Sequence, residues 1–142
     1  MATIADQIAE YLEDNSIGTI GESKTSTNVG IYVSQLPDLP NKAVGILATG
    51  GFQSSTHEPT KSLTFQIMVR HDNYEDGMNL ANTIRDLLHV NDDTQKVDYS
   101  FQTGQIHVLT GRAIQEPYLL EIDQSKRVII VSNYNFLTNE PN

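Results

Sequence analysis

Apolar residues recur at Ile4, Ile8, Tyr11 and Leu12, the spacing of one helical face, and predict a helix over residues 3–14. Thr3 and Asp6 stand as an Asp-bearing form of a capping box, and the glycine-ended stretch 15–18 supplies the stop. The period then changes. Val29, Ile31 and Val33 alternate with other residues, and after a proline-marked turn at 36–40 the segment 43–49 puts Val44, Ile46 and Ala48 on one face. These predict two paired strands. The strongest alternation lies at 62–70, where Leu63, Phe65, Ile67 and Val69 are interleaved with Thr64, Gln66, Met68 and Arg70.

Helical spacing returns after Asp72 or Asn73, either of which can cap a second helix reaching about His89. Tyr74, Met78, Ala81, Ile84, Arg85 and Leu88 form its stripe, widened by Leu87. Three strands are predicted at 105–111, 116–122 and 127–137, with 123–126 as a hairpin turn. The order suits one α+β domain spanning 1–142, in which two helices pack on one face of a mixed or antiparallel sheet of about five to six strands.

Three polar stretches interrupt this pattern and are expected to be mobile loops. Residues 21–28 hold no large apolar side chain, so little burial offsets the ~1–2 kcal/mol of backbone entropy that each residue loses on ordering. Residues 50–61 are rich in glycine and polar groups, and 91–104 is polar and acidic. Within the last, Val97, Tyr99 and Phe101 alternate as either a short edge strand or a binding arm. The C-terminal tail is short and polar.

Charge narrows the partners. Eighteen acids against nine bases leave a net charge of −9, which opposes tight binding to nucleic acid or to an anionic membrane surface. The imbalance is local: residues 1–22 carry five acids and no base, and 72–98 carry seven acids and two bases. Residues 24–71 hold Lys24, Lys42, Lys61 and Arg70 against Asp38 and Glu58, so one side is expected to be acidic and the sheet side nearly neutral. No apolar run approaches the ~20 residues needed to cross a bilayer. The first residues lack the basic start of a secretory signal, and the expected location is the cytoplasm. The absence of cysteine removes disulfides, thiolate zinc ligation and thiol catalysis.

Candidate chemistry is sparse. His71, Asp72, Glu75 and Asp76 crowd together, but they follow neither a calcium-loop nor a zinc-site pattern. The acids are better placed to favour a helix N-terminus. His57 and Glu58 lack a paired nucleophile in any known local signature, and no GxSxG, HExxH or phosphate-loop motif occurs. Thr49-Gly50-Gly51 precedes no helix, so it reads as a sharp strand end rather than an anion site. Tyr99 and Phe101 sit among Asp92, Asp93 and Asp98, which favours protein contact over base stacking. The expectation is a non-enzymatic binding or assembly protein with no metal and no cofactor.

Several features together resemble the tail terminator, or minor capsid, proteins of long-tailed bacteriophages. They are the amphipathic first helix, Thr49-Gly50-Gly51 after a strand, Pro59-Thr60, and the strand Phe65-Gln66-Ile67-Met68-Val69-Arg70. Tyr74, Ala81, Ile84, Leu87, Leu88 and His89 follow on the second helix, and Gly111, Pro117, Leu120, Asp123, Arg127, Asn135 and Phe136 resemble the closing pattern. The segment 97–104 and Leu119-Leu120-Glu121 depart from a typical member, which leaves open another neck or head-to-tail joining role. The resemblance implies a virion protein that self-associates as a six-membered ring. Such a ring contacts the tail tube protein on one side and the head connector or stopper on the other, and DNA passes through it. Candidate contact residues are Lys24, Thr25 and Ser26 on the first loop, Gly50, Gly51 and Phe52 on the second, and Tyr99 and Phe101 on the third. A rival reading is an adaptor domain that binds one protein through a sheet edge.

Overall fold

The computed structural model describes residues 4–49, 60–88, 107–114 and 116–139. Within them the order is α1 (Ile4–Asp14), β1 (Thr19–Ile20), β2 (Gly30–Val33), β3 (Ala43–Ala48), β4 (Thr60–His71), α2 (Tyr74–Leu88), β5 (His107–Ala113), β6 (Tyr118–Ile122) and β7 (Val128–Asn139). The fold is α+β with a mixed sheet; β2, β3 and β4 follow the alternation of the sequence, β5, β6 and β7 fall on the three predicted closing strands, and the two-residue β1 is the one described strand not expected. The loop predicted at 91–104, most of 50–61 and the tail beyond 139 lie outside the described residues.

The sheet order is β1-β2-β3-β4-β7-β5, with β6 also paired to β7. β1, β2 and β3 run parallel, whereas β3–β4, β4–β7, β5–β7 and β6–β7 are antiparallel. Strand register explains the core. Ile31 is opposite Val44, Val44 opposite Val69, Ile46 opposite Ile67, Val69 opposite Ile130, and Phe65 opposite Tyr134. All of these side chains are fully buried and join one cluster with Ala5, Ile8 and Leu12 of α1 and Ala81, Ile84 and Leu88 of α2. The Phe65 and Tyr134 rings stack at 5.3 Å between centroids, a geometry that adds to area burial.

Helix ends follow local chemistry. Ser16 takes a left-handed conformation (φ 64°), while Ile17 N–H donates to Leu12 and Ser16 N–H to Glu13. This is a Schellman stop in which serine occupies the usual glycine position and Ile17 turns into the core. At α2 the cap is Asn73, whose Oδ1 accepts from Glu75 N–H at 2.8 Å and Asp76 N–H at 3.3 Å. Glu75 and Asp76 then fill the first turn, where negative charge is favoured. Replacing Asn73 with Ala should cost about 1 kcal/mol, the usual value of an N-cap, read as a lower urea midpoint at unchanged slope. Tyr74, expected on the apolar stripe, instead projects outward at 52% exposure. Its position at the first helical residue puts it beyond the edge of the sheet-facing stripe.

The crossover 34–42 between β2 and β3 lies against β3 at Gly45. A Cβ at Gly45 would stand 2.9 Å from the Gln35 carbonyl oxygen, so only glycine lets that segment lie on β3. Two buried arginines hold the crossover down. Arg70 donates from Nη2 to Pro40 O at 2.6 Å and from Nε to Asn41 O at 3.1 Å. Arg127 reaches Asp38 and Asn41 on the crossover and Asp123 in the β6–β7 turn. That turn is a three-residue hairpin loop with Lys126 left-handed (φ 63°), as expected for 123–126.

Candidate functional site

The segment before β2 begins with no apolar anchor, yet it follows a defined course through short polar contacts. Tyr32 Oη donates to Glu22 O at 2.8 Å, Ser26 N–H to Ser23 O at 3.0 Å, and Asn28 N–H to Ser26 Oγ at 3.0 Å. Lys24 and Thr25 are exposed and Ser26 is half-buried. With Thr27, Leu39, Asn41, Lys42 and Asp72 they line a cleft of about 230 Å³. The strand ends of β2, β3 and β4 therefore bring the first group of predicted contact residues onto one concave surface. Gly50, Gly51, Phe52, Tyr99 and Phe101 lie outside the described residues, as do His57 and Glu58.

Lys42 also borders a larger groove of about 580 Å³, lined by Glu13, the 16–19 turn, residues 27–29 and His71. Glu13 is engaged there, since its Oε2 accepts from Ile20 N–H at 2.7 Å. The His71 Nδ1 accepts from Asn73 N–H at 3.3 Å, which places the neutral ring's proton on Nε2. Burial, reinforced by the Lys42 ammonium, holds the His71 imidazole below its ordinary value of 6.5 despite Asp76 and Asp72. The unfolded chain thus binds this proton more readily than the folded one. Stability from neutral His71 is complete above about pH 6.5 and is lost as pH falls toward the lower folded value. His71→Gln should flatten the urea-midpoint profile across that window. An unchanged downward slope in the variant would locate the effect in another group.

Chemically, the two clefts offer ammonium groups, hydroxyls and an imidazole N–H, a set that suits carboxylates and carbonyls of another chain. Among the described residues no group of three or more His, Asp or Glu is placed to hold a metal ion, and His71, Asp72, Glu75 and Asp76 do not converge on one point. No described helix is long and apolar enough to cross a membrane.

A second exposed surface lies outside the three polar loop segments. β6 exposes every residue from Tyr118 to Ile122. Its signal was present in the consecutive apolar Tyr118-Leu119-Leu120, which breaks the alternation that a strand with one buried face requires. Glu116, just before β6, pairs with Arg85 of α2 at 2.9 Å and ties this edge to the helix.

No curated protein matches the chain. A family profile described as bacteriophage tail terminator protein matches residues 11–140, from α1 through the end of β7. The chain therefore belongs to the bacteriophage tail terminator family, a family of virion structural proteins.

Proposed function

We propose that this protein forms a six-membered ring that caps the last ring of tail-tube subunits, stops tube growth and presents its other face to the head connector or stopper. The observation that carries this reading is family membership over residues 11–140. The physical properties support it. Association into a ring needs two different surfaces on each copy, and the polar clefts and the apolar β6 edge are such surfaces. The polar loop 21–28 holds no large apolar side chain and becomes ordered on docking, which makes capping sequential.

The ring encloses DNA without gripping it. Asp72, Glu75, Asp76 and Asp86 on and before α2 and Glu13 and Asp14 on α1 are all exposed. A protein with twice as many acids as bases gains little from counterion release, so duplex DNA should show no tight binding at moderate salt. Binding that weakens steeply with added salt would contradict this electrostatic account.

The genetic test is removal of the gene from its phage. Tails of unregulated length that fail to join heads are expected. Normal-length tails joined to heads would assign the chain to another neck position. The adaptor reading, in which the β6 edge binds a single unrelated protein, instead predicts a protein indifferent to tube ends.

A further inference from the structure

Eight large apolar side chains remain exposed among the described residues, and five of them fall between Ile114 and Ile122, at 38–60% exposure. Four of these, Tyr118, Leu119, Leu120 and Ile122, belong to an outer strand, β6. β6 pairs only with β7, so no described strand lies on its far side. A long apolar edge left open invites aggregation, and soluble proteins cover such edges. The pairing also slips between Leu119 and Glu121, which makes Leu120 a bulge. A bulge interrupts a ladder, so the edge is built for side-chain packing rather than for adding another strand.

Charge indicates what covers it. Glu116 and Glu121 lie among the apolar residues, and Glu121 has no ion-pair partner among the described residues. The cleft at the ends of β2, β3 and β4 has the complementary character. It presents Lys24 and Lys42 around Leu39, itself 44% exposed, with Asp72 as its one acid. In a molecule of net charge −9, a surface with two lysines and an exposed leucine is the natural counterpart of an acidic apolar edge. The other sheet edge is a poor rival. β1 has two residues, and the Ile20 N–H is already taken by Glu13. Self-pairing of β6 brings the glutamates of two copies onto one surface, which is repulsive.

We infer that the β6 edge of one copy packs into the Lys24–Leu39–Lys42 cleft of a second copy, and that this head-to-tail contact builds the assembly. The inference rests on the ring reading above and specifies its interface. Leu120 and Ile122 meet Leu39, and Glu121 meets the lysine ammonium groups. Because the two surfaces differ, each copy uses both, and successive contacts close a ring when the rotation allows.

The test uses two variants at surface positions, Leu120→Asp on the edge and Lys24→Glu/Lys42→Glu in the cleft. Both should keep the wild-type circular dichroism and unfolding midpoint, and both should be monomeric by sedimentation velocity and native mass spectrometry, with self-association weakened at least tenfold. Mixed at equal amounts, they should form a heterodimer and nothing larger, since only one intact edge and one intact cleft remain. Leu120→Ser serves as a milder edge variant with intermediate weakening. A ring unaffected by both variants, or a cleft variant that assembles normally alone, overturns this interface while leaving the ring reading intact. A wild-type chain that stays monomeric both in solution and at tube ends overturns the interface and the ring together.

Discussion

Ile67→Asp should abolish cooperative folding. Ile67 is fully buried, lies opposite Ile46 on one side and Ser132 on the other, and has Phe65 and Val69 as neighbours on its face. Removing the side chain forfeits about 1.5–3 kcal/mol of apolar burial. Placing a carboxylate there adds a penalty of several kcal/mol, because nothing on that face pairs with it. The sum rivals the ~5–15 kcal/mol of stability typical of a domain. Urea titration followed by circular dichroism should show no native baseline, whereas Ile67→Val should cost only about 0.5–1.5 kcal/mol. A soluble Ile67→Asp protein with a cooperative transition near the wild-type midpoint would mean that this sheet face is solvated.

Arg127→Met should produce the next largest loss, about 2–3 kcal/mol, the range of lost charge-assisted hydrogen bonds with partial recovery by water. The Arg127 side chain is 8% exposed and clamps two segments that are distant in sequence. Its Nε donates to Asp123 Oδ2 at 2.9 Å, its Nη2 to Asp38 Oδ1 at 2.9 Å, and its Nη1 to the Asp38 carbonyl and Asn41 Oδ1. Met keeps most of the apolar stem and removes the fork. Asp38 is largely exposed and regains water, which caps the effect. The acid limb supplies a second readout. The Arg127 backbone N–H first, and its guanidinium with it, hold the Asp123 carboxyl below its ordinary 3.8 against some desolvation. Stability from this group is present above pH 3.8 and disappears as pH falls through the lower folded value. Arg127→Met retains the backbone donor at 2.9 Å, so acid sensitivity should shrink without vanishing. Equal stability of variant and wild type at neutral pH would show that the crossover is held by Arg70 alone.

The strands were legible wherever one face had to be buried. Phe65, Ile67 and Val69 could not alternate with polar residues in a helix without scattering around it, and Ala81, Ile84 and Leu88 could not do so in a strand. The direction of β2 against β3 was not legible. A nine-residue, proline-bearing connection does not by itself choose between a hairpin and a parallel crossover. Here the choice is held by Arg70 and Arg127, which bind the crossover from positions 29 to 89 residues away. Such pairings leave no periodic trace. β1 was invisible because two residues carry no pattern.

The candidate surface was legible in part. Lys24, Thr25 and Ser26 stood out as a polar loop, but Leu39, Lys42 and Asp72 join them only because three strand ends meet. β6 had announced itself by consecutive apolar residues that fitted no alternation, and its meaning emerged from its place beyond β7. Family-level resemblance spanned both gaps, since it depends on the whole succession of elements that the profile match covers.

The central claim is that this chain ends tail tubes. Purified protein should be added to polymerising tail-tube subunits, with tube length and tube ends followed by electron microscopy. Growth should stop on addition, with a six-membered ring of this protein at one end of each tube. Tubes that continue to lengthen with bare ends, while the protein remains free in solution, would contradict it.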